Sequence, residues 1–362
     1  MSPFTSISFL SLIKLIWKNK KIQKKYLTRI LLIFFVSFFL IWIRKLESLF
    51  FETKIKKQSI KNSPIFIIGH WRSGTTYLHN LMSQDSQFSY VSTLQAIAPD
   101  FFIIANKIFR PILNHYLPSK RGIDNVDVSL DYPQEEELAL ANQSDMCWLH
   151  FLSFPERMKE YFQEYVLLDN LSEDLFSKWK NNYIKVIRQT TYYTQSQCIL
   201  LKNPANTARV RLLLDIFPDA KFIHIYRNPY DVYFSSKKMY KKLISCSQYH
   251  DISPENLEEN TLYIYKNLMS KFLEEKHLIP SQNLVEVKFE DLEKYPLIEI
   301  KKIYKNLNLF ESSDFEVVFS DYLNTIKNYK KNNYFPTLTC IKNVNYHLGF
   351  VFEELGYEMQ KL

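Results

Sequence analysis

The sequence predicts an α/β fold: three layers on a central parallel sheet, preceded by apolar, basic N-terminal helices. Three observations predict it. From Pro64 onward, short β-branched runs alternate with helical patterns, as in a parallel sheet covered on both faces. A glycine-bounded loop joins the first of those runs to a helix. Charge and hydropathy change character near residue 60.

In chain order the basic start comes first. Residues 1–63 hold 13 Lys and Arg against two acids, Glu47 and Glu52, a balance of +11. The rest of the chain holds 33 basic and 36 acidic side chains, so the net +8 of the 362 residues belongs to the start. Residues 30–43, "ILLIFFVSFFLIWI", are 14 residues with one serine, between Arg29 and Arg44. A spanning helix wants about 20 apolar residues, so this run is short. Leu12 to Trp17 is a weaker apolar patch, and Lys18, Lys20, Lys21, Lys24 and Lys25 lie between the two. Two interfacial or docking helices are expected, with a membrane surface as partner through residues 1–50. The expected place is the cytoplasmic side of a membrane, peripheral or on a short anchor. A helix packed on the globular part and a short true span are the competing readings. Lys and Arg directly after the run, with no small-residue cleavage site, disfavour a signal peptide. Basic charge joined to apolar residues points away from nucleic acid. The expected division is a helical appendage over 1–60 and one domain with a helical C-terminal cap over 61–362. Four dispersed cysteines without a C-x-x-C pair suggest neither a zinc site nor a disulfide framework.

Strands are expected at "PIFIIG" (64–69), "CILLK" (198–202), "KFIHIYR" (221–227) and "LVEVKF" (284–289). Helices are expected over 75–84, 134–144, 171–196, 205–216, 229–244, 255–276 and 297–306. The chain has only five glycines, and Gly69 and Gly74 bound the first strand–helix loop as G-x-x-x-x-G. That is P-loop spacing, but Thr75 and Thr76 stand where Lys and Ser or Thr would follow. Free N–H groups at a helix start bind anions. Ser73, Gly74, Thr75 and Thr76 can therefore cradle a phosphate, and Arg72 adds a planar cation suited to oxyanions. The strand "KFIHIYR" ends in Arg227, where an NTPase would carry an acid for magnesium. Asp231 reads as starting or capping a helix. Two anion sites on neighbouring strand ends suit a nucleotide with phosphate at both ends of its ribose, and no metal is expected.

These residues resemble the sulfotransferases that use 3′-phosphoadenosine 5′-phosphosulfate, in a bacterial branch nearer the tyrosylprotein and carbohydrate enzymes than the cytosolic aryl ones. "GHWRSGTTYLHNLM" is similar to the family's 5′-phosphosulfate loop, and "FPDAKFIHIYRNPYDVYFSS" (217–236) to its 3′-phosphate motif. "LLKNPANTARVRLLLDIFP" (200–218) and "VEVKFEDL" (285–292) are further matches. The resemblance implies a P-loop-type fold and transfer of a sulfuryl group to an acceptor hydroxyl on a lipid, glycan or small molecule. It implies that Arg227 and Ser235 hold the 3′-phosphate, that Lys202 is a catalytic cation beside Arg72, and that a basic loop closes over the donor. Lys330 and Lys331 of "YKKNNYF" are candidates for that loop, though a solvated turn fits them as well. A P-loop kinase or NTPase and a non-catalytic nucleotide-binding module remain as alternatives.

Sulfuryl transfer needs cations at the leaving oxygen and a base near the acceptor. Family positions for that base are not matched here, since "SYVSTLQA" (89–96) holds no acid. The best substitute is "DYPQEEELAL" (131–140). Glu135 and Glu137, two apart on a helix, point about 200° apart, so one of them can enter a cleft. Glu135 is preferred, then Glu137, with His70 in the loop as alternative. Acids in a first turn also simply stabilise the helix dipole. His224, mid-strand, and His79, on the loop helix, read as packed residues.

Overall fold

Four of the five strands lie on the runs expected to form them. In the computed structural model, which describes residues 4, 6–60, 62–122, 126–169, 171–196, 198–327 and 337–361, β1 is Ile65–Ile68, β2 Phe88–Ser89, β3 Cys198–Lys202, β4 Lys221–Tyr226 and β5 Leu284–Lys288. The order is β2-β3-β1-β4-β5. β1 pairs in parallel with β3 on one side and β4 on the other, and β4 pairs in parallel with β5. All four β1 side chains are buried, which is why the run is uniformly apolar rather than alternating. The chain places β2 and β3 on one side of β1 and then crosses to β4 and β5 on the other, so the carboxyl end of β1 is the switch point where open α/β sheets bind ligands. β2 was not expected; two residues carry no readable period.

The chain divides into two compact units: Asn62–Phe88, Cys198–Met239 and Glu258–Leu362 in one, and Met1–Lys61, Ser89–Gln197 and Tyr240–Leu257 in the other. The first holds the core of the sheet. Its apolar centre joins Ile67, Leu78, Leu200, Ile225, Val287 and Ile303. The helices needed here are, in chain order, α1 (Phe9–Asn19), α2 (Leu27–Lys57), α3 (Thr75–Met82), α4 (Arg110–Tyr116), α5 (Glu136–Gln143), α6 (Glu173–Thr194) and α7 (Pro229–Ser247). α3 buries Leu78, Leu81 and Met82, one face at spacings of three and four. The helix expected over 205–216 is broken instead into a 3-10 turn, Pro204–Ala208, and a helix, Val210–Ile216. The cause is local: the Asn203 side chain accepts the Ala205 N–H at 3.0 Å, an Asx turn that competes with the helix. Two further helices lie near the end of the chain, Phe315–Thr325 and Leu338–Glu354.

In the second unit, α1 and α2 pack on the body of that unit. The Ser8 N–H donates to the Asn142 carbonyl at 3.0 Å, and Arg44 pairs with Asp100 at 2.7 Å. The short apolar run becomes a helix of 31 residues. Counting uninterrupted apolar letters underestimates it, because the helix continues through Arg44, Lys45 and Glu47. The helical stretch Lys24–Lys57, which includes the turn before α2, is long and apolar enough to cross a membrane, with mean hydropathy 2.2 over its most apolar 18 residues.

Gly69 and Gly74 have positive φ, 137° and 105°. A Cβ at Gly69 would overlap the Ile225 carbonyl oxygen, and one at Gly74 would overlap the Phe289 ring. Gly69→Ala should cost about 2 kcal/mol or more, because backbone has to move. Thermal unfolding of the variant should show a midpoint several degrees lower; an unchanged midpoint would mean the β1–α3 loop is loosely packed.

Candidate functional site

The site is built on the loop from Gly69 to Thr76, between β1 and α3. Thr207, from the 3-10 turn after β3, locks its start. The Gly69 N–H donates to Thr207 Oγ1 at 2.8 Å, and that hydroxyl donates to the Gly69 carbonyl at 3.1 Å. Ser236 Oγ donates to the Trp71 carbonyl at 3.2 Å. Arg72 has φ 75°, unusual without glycine and costly for a residue with a Cβ. Its Nε donates to Ser235 Oγ at 2.8 Å, a bond that helps hold this conformation. Ser73 is buried, and its hydroxyl has no hydrogen-bond partner among the described residues. An unsatisfied buried hydroxyl in an anion-type loop is a donor awaiting a ligand.

Lys202, at the end of β3, is only 1% exposed, and its Nζ donates to Thr76 Oγ1 at 3.4 Å. The sheet thus brings Lys202 to the same loop from 126 residues away in sequence. Arg227 follows β4. It donates to Asp231 at 2.7 Å and lies over the Phe289 ring at 4.6 Å. Asp231 sits in the first turn of α7, as read from the sequence. The next residue is clamped too: the Asn228 N–H donates to Glu290 at 3.2 Å, and Tyr357 donates to the other oxygen of that carboxylate at 2.7 Å. Arg72, Ser73, Gly74, Thr75, Thr76, Lys202, Arg227 and Ser235 all belong to one compact unit. Lys330 and Lys331 lie outside the described residues.

His70 faces the interior of that unit. Its Nδ1 donates to the Trp71 carbonyl at 2.7 Å and its ring packs on Tyr265, centroids 4.0 Å apart. Burial pushes its pKa down to about 4, so the imidazole is neutral. Its Nε2 has no partner among the described residues and borders a small cavity with Ser73, His224, Arg227 and Tyr265. His224 pairs with Glu286 at 3.0 Å. Burial would raise Glu286, but the bonds from His224 and Lys276 bring it down to about 2. His79 is 1% exposed and packed, as expected from its place on α3.

The three acids of "PQEEE" belong to the other unit. The Gln134 N–H donates to the Val91 carbonyl at 2.8 Å, which fixes the start of α5. Glu135 is the N-cap residue in extended conformation, so the 200° separation from Glu137, derived for two helical residues, does not apply. Burial separates them instead. Glu137 is 0% exposed and accepts from Cys147 Sγ at 3.3 Å. Glu136 is 1% exposed and accepts from Tyr183 at 2.8 Å. Burial raises its carboxyl to about 7, against that hydrogen bond. Glu135 alone of the three is only partly buried. Nothing local in the sequence marks Glu136, because its partner Tyr183 is 47 residues away.

The loop, the strand-end cations and the order of motifs can be set beside known proteins. Residues 64–312 match the model of the Sulfotransferase family. The chain belongs to the sulfotransferase family. It is 30% identical over 312 residues to the omega-hydroxy-beta-dihydromenaquinone-9 sulfotransferases Stf3 of Mycobacterium bovis and Mycobacterium tuberculosis, covering 86% of this chain and 80% of theirs. Its fold is shared with crystal structures of sulfotransferase STF9 from Mycobacterium avium (TM-score 0.64, 15% identity, 86% of this chain and 81% of that one). It is shared likewise with STF1 from Mycobacterium tuberculosis H37Rv (TM-score 0.62, 13% identity, 86% and 85%). This sulfotransferase is thus an enzyme that moves a sulfuryl group to an acceptor hydroxyl, and the kinase and binding-module alternatives fall away.

Buried neutral His70 has a pH consequence. Its pKa of about 4 in the fold lies below the unfolded value of about 6.5. The unfolded chain therefore binds the proton first as pH falls. The stability it contributes is complete above pH 6.5 and is lost as pH falls toward 4. In His70→Asn the drop in melting temperature between pH 6.5 and 4 should be smaller than in the native enzyme. An equal drop would remove His70 from the acid response.

Proposed function

We propose that this sulfotransferase draws its sulfuryl group from 3′-phosphoadenosine 5′-phosphosulfate and passes it in line to a hydroxyl on a lipid acceptor. The observation that carries the donor is the β1–α3 loop. Ser73 keeps a buried hydroxyl without a partner among the described residues, Arg72 of the loop bonds to the Ser235 hydroxyl, and Lys202 bonds to the Thr76 hydroxyl of the loop. The glycines leave no room for Cβ atoms against the Ile225 carbonyl and the Phe289 ring, so the backbone of an anion-type loop is held at the start of α3.

The donor supplies an activated sulfur–oxygen bond. Arg72, Ser73, Gly74, Thr75 and Thr76 cradle its 5′ end. Arg227 and Ser235 hold its 3′-phosphate, with Lys330 and Lys331 as further candidates there. Arg72 and Lys202 place positive charge where the leaving oxygen becomes negative. This division of labour asks no metal of the protein. Glu135 takes the proton of the acceptor hydroxyl. Its partial exposure supports that choice over Glu137 and His70, both buried, since a general base must reach the proton it removes. The transferase machinery lies within 61–362.

A lipid acceptor is supported by two facts. The Stf3 relatives are named for omega-hydroxy-beta-dihydromenaquinone-9, a hydroxylated lipid-like substrate. This chain also carries a basic apolar start suited to a membrane surface. We place the enzyme on the cytoplasmic side of a membrane, held through residues 1–50.

Calorimetry of the full chain with adenosine 3′,5′-bisphosphate and with magnesium-ATP tests the donor. Binding of the bisphosphate alone is expected, and binding of magnesium-ATP alone would sink the reading. Arg227→Ala should weaken the bisphosphate about 10- to 100-fold, the worth of a charge-assisted hydrogen bond; unchanged affinity would remove Arg227 from the site. Glu135→Gln should lower turnover about 100-fold or more at nearly constant donor affinity, and full activity would move the role to Glu137 or His70. Transfer of labelled sulfate to cell extracts should mark the lipid fraction; label confined to glycans or proteins would refute the lipid acceptor.

A further inference from the structure

α2 has two faces of opposite character. One packs on the body of its own compact unit. Ile30, Ile33, Ser37, Glu47 and Ile55 are buried along it. Arg29 donates to the Gln248 carbonyl at 3.0 Å, Arg44 pairs with Asp100 at 2.7 Å, and Glu47 accepts the N–H groups of Ile103 and Ile104 at 3.3 and 2.8 Å. From Ile30 to Ile55 this packed stripe runs about 37 Å at 1.5 Å per residue. It therefore occupies nearly the whole helix and includes its middle.

The other face is apolar and exposed. Leu31, Phe35, Phe39, Trp42, Leu46 and Leu49 follow each other at spacings of three and four, and all are more than 45% exposed. α1 lies against α2, with Phe9 4.6 Å from Phe34 and 5.6 Å from Phe38, centroid to centroid. It adds exposed Leu10, Ile13 and Trp17. Single exposed hydrophobics are ordinary, but a stripe of this length marks a surface that is covered in use. Lysines rim it. Lys20 lies over the Trp17 ring at 5.8 Å and Lys45 over the Trp42 ring at 5.3 Å. Tryptophan and lysine together at the edge of an apolar face suit the headgroup level of a bilayer.

A helix that crosses a bilayer exposes its length to hydrocarbon or to other spanning segments. Here the middle of α2 is tied through Arg44 and Glu47 to polar groups of a unit that carries Asp100 and two backbone amides into the contact. Drawing those groups into hydrocarbon would be costly. A helix lying in the surface plane avoids the conflict, with the packed face toward the protein and the apolar face toward the lipid. Charge selects among coverings. Residues 1–63 carry a balance of +11, so a symmetric pairing of this face with a second copy would oppose like charges, whereas an anionic lipid surface attracts them.

We propose that α1 and α2 lie in the plane of an anionic bilayer surface, apolar stripe against the acyl chains and lysines at the headgroups, so that α2 docks the enzyme on one leaflet without spanning it. This deepens the membrane placement above and is independent of the sulfuryl-transfer chemistry.

The test uses the full chain and vesicles of phosphatidylcholine with or without phosphatidylglycerol. Flotation should rise with the anionic lipid and fall with salt. Phe35→Asp combined with Trp42→Asp should lower the bound fraction about tenfold, while affinity for adenosine 3′,5′-bisphosphate stays unchanged. Lys25→Cys just before α2 and Lys56→Cys in its last turn, each in a background with Cys198, Cys246 and Cys340 replaced by Ser, mark the two ends of the helix. Expressed in cells and recovered as sealed, cytoplasmic-side-out vesicles, both should react equally with an impermeant maleimide. Reaction of only one of them before detergent is added would overturn the in-plane arrangement and assign a span. Failure to float, with a dimer in light scattering, would overturn the bilayer in favour of a second copy. Loss of bisphosphate binding in the native chain with flotation intact would strike the donor reading and leave this one standing.

Discussion

The loop between β1 and α3 depends on one close approach, that of the Gly69 backbone to the Ile225 carbonyl on the neighbouring strand β4. No side chain fits between them. Because Gly69 stays that close, Thr207 can reach both its N–H and its carbonyl. The loop is thus bonded to the segment after β3 and packed on β4 at once. Both neighbours of β1 deliver their strand ends to it, and those ends carry Lys202 and Arg227. The strain in Arg72 is held by the same framework, through Ser235 on α7.

The three cations are tied down in different ways. Arg72 donates to the Ser235 hydroxyl and Lys202 to the Thr76 hydroxyl. Arg227 has an acid, Asp231, and an aromatic ring, Phe289. Their proposed duties also differ. In the proposed mechanism the first two would meet charge that develops during transfer, where preorganised positive charge acts most strongly. The third would hold a phosphate whose charge does not change. The neutral, buried His70 below the loop adds no charge of its own.

The start of the chain follows another constraint, the matching of two helix faces to two media. Polar and charged residues of α2 that would be expensive in lipid, Arg44 and Glu47, are those that find partners in the protein. Residues that would be expensive in water, from Leu31 to Leu49, are those left outside. A purely apolar helix would have satisfied a span equally well. The 3.6-residue segregation of the two sets argues for a surface instead.

The strands and the glycine-bounded loop could be read from the sequence because their signals are local. β-branched runs, two glycines five apart and an arginine at a strand end need no distant partner to be meaningful. Arg72 and Arg227 are recognisable in the same way. The tertiary structure alone decided matters that turn on burial and long-range contact. It separated three consecutive glutamates, leaving Glu135 partly exposed and enclosing Glu136 and Glu137, because Tyr183 and Cys147 approach from elsewhere in the chain. It drew Thr207, in the 3-10 turn after β3, to Gly69, 138 residues away in sequence. It lengthened a 14-residue apolar run to a helix of 31, because charged residues that look like a stop in the sequence are paired on the packed face. Residue types declare which chemistry is available, but burial declares which copies of a residue can use it, and burial is a property of the whole fold.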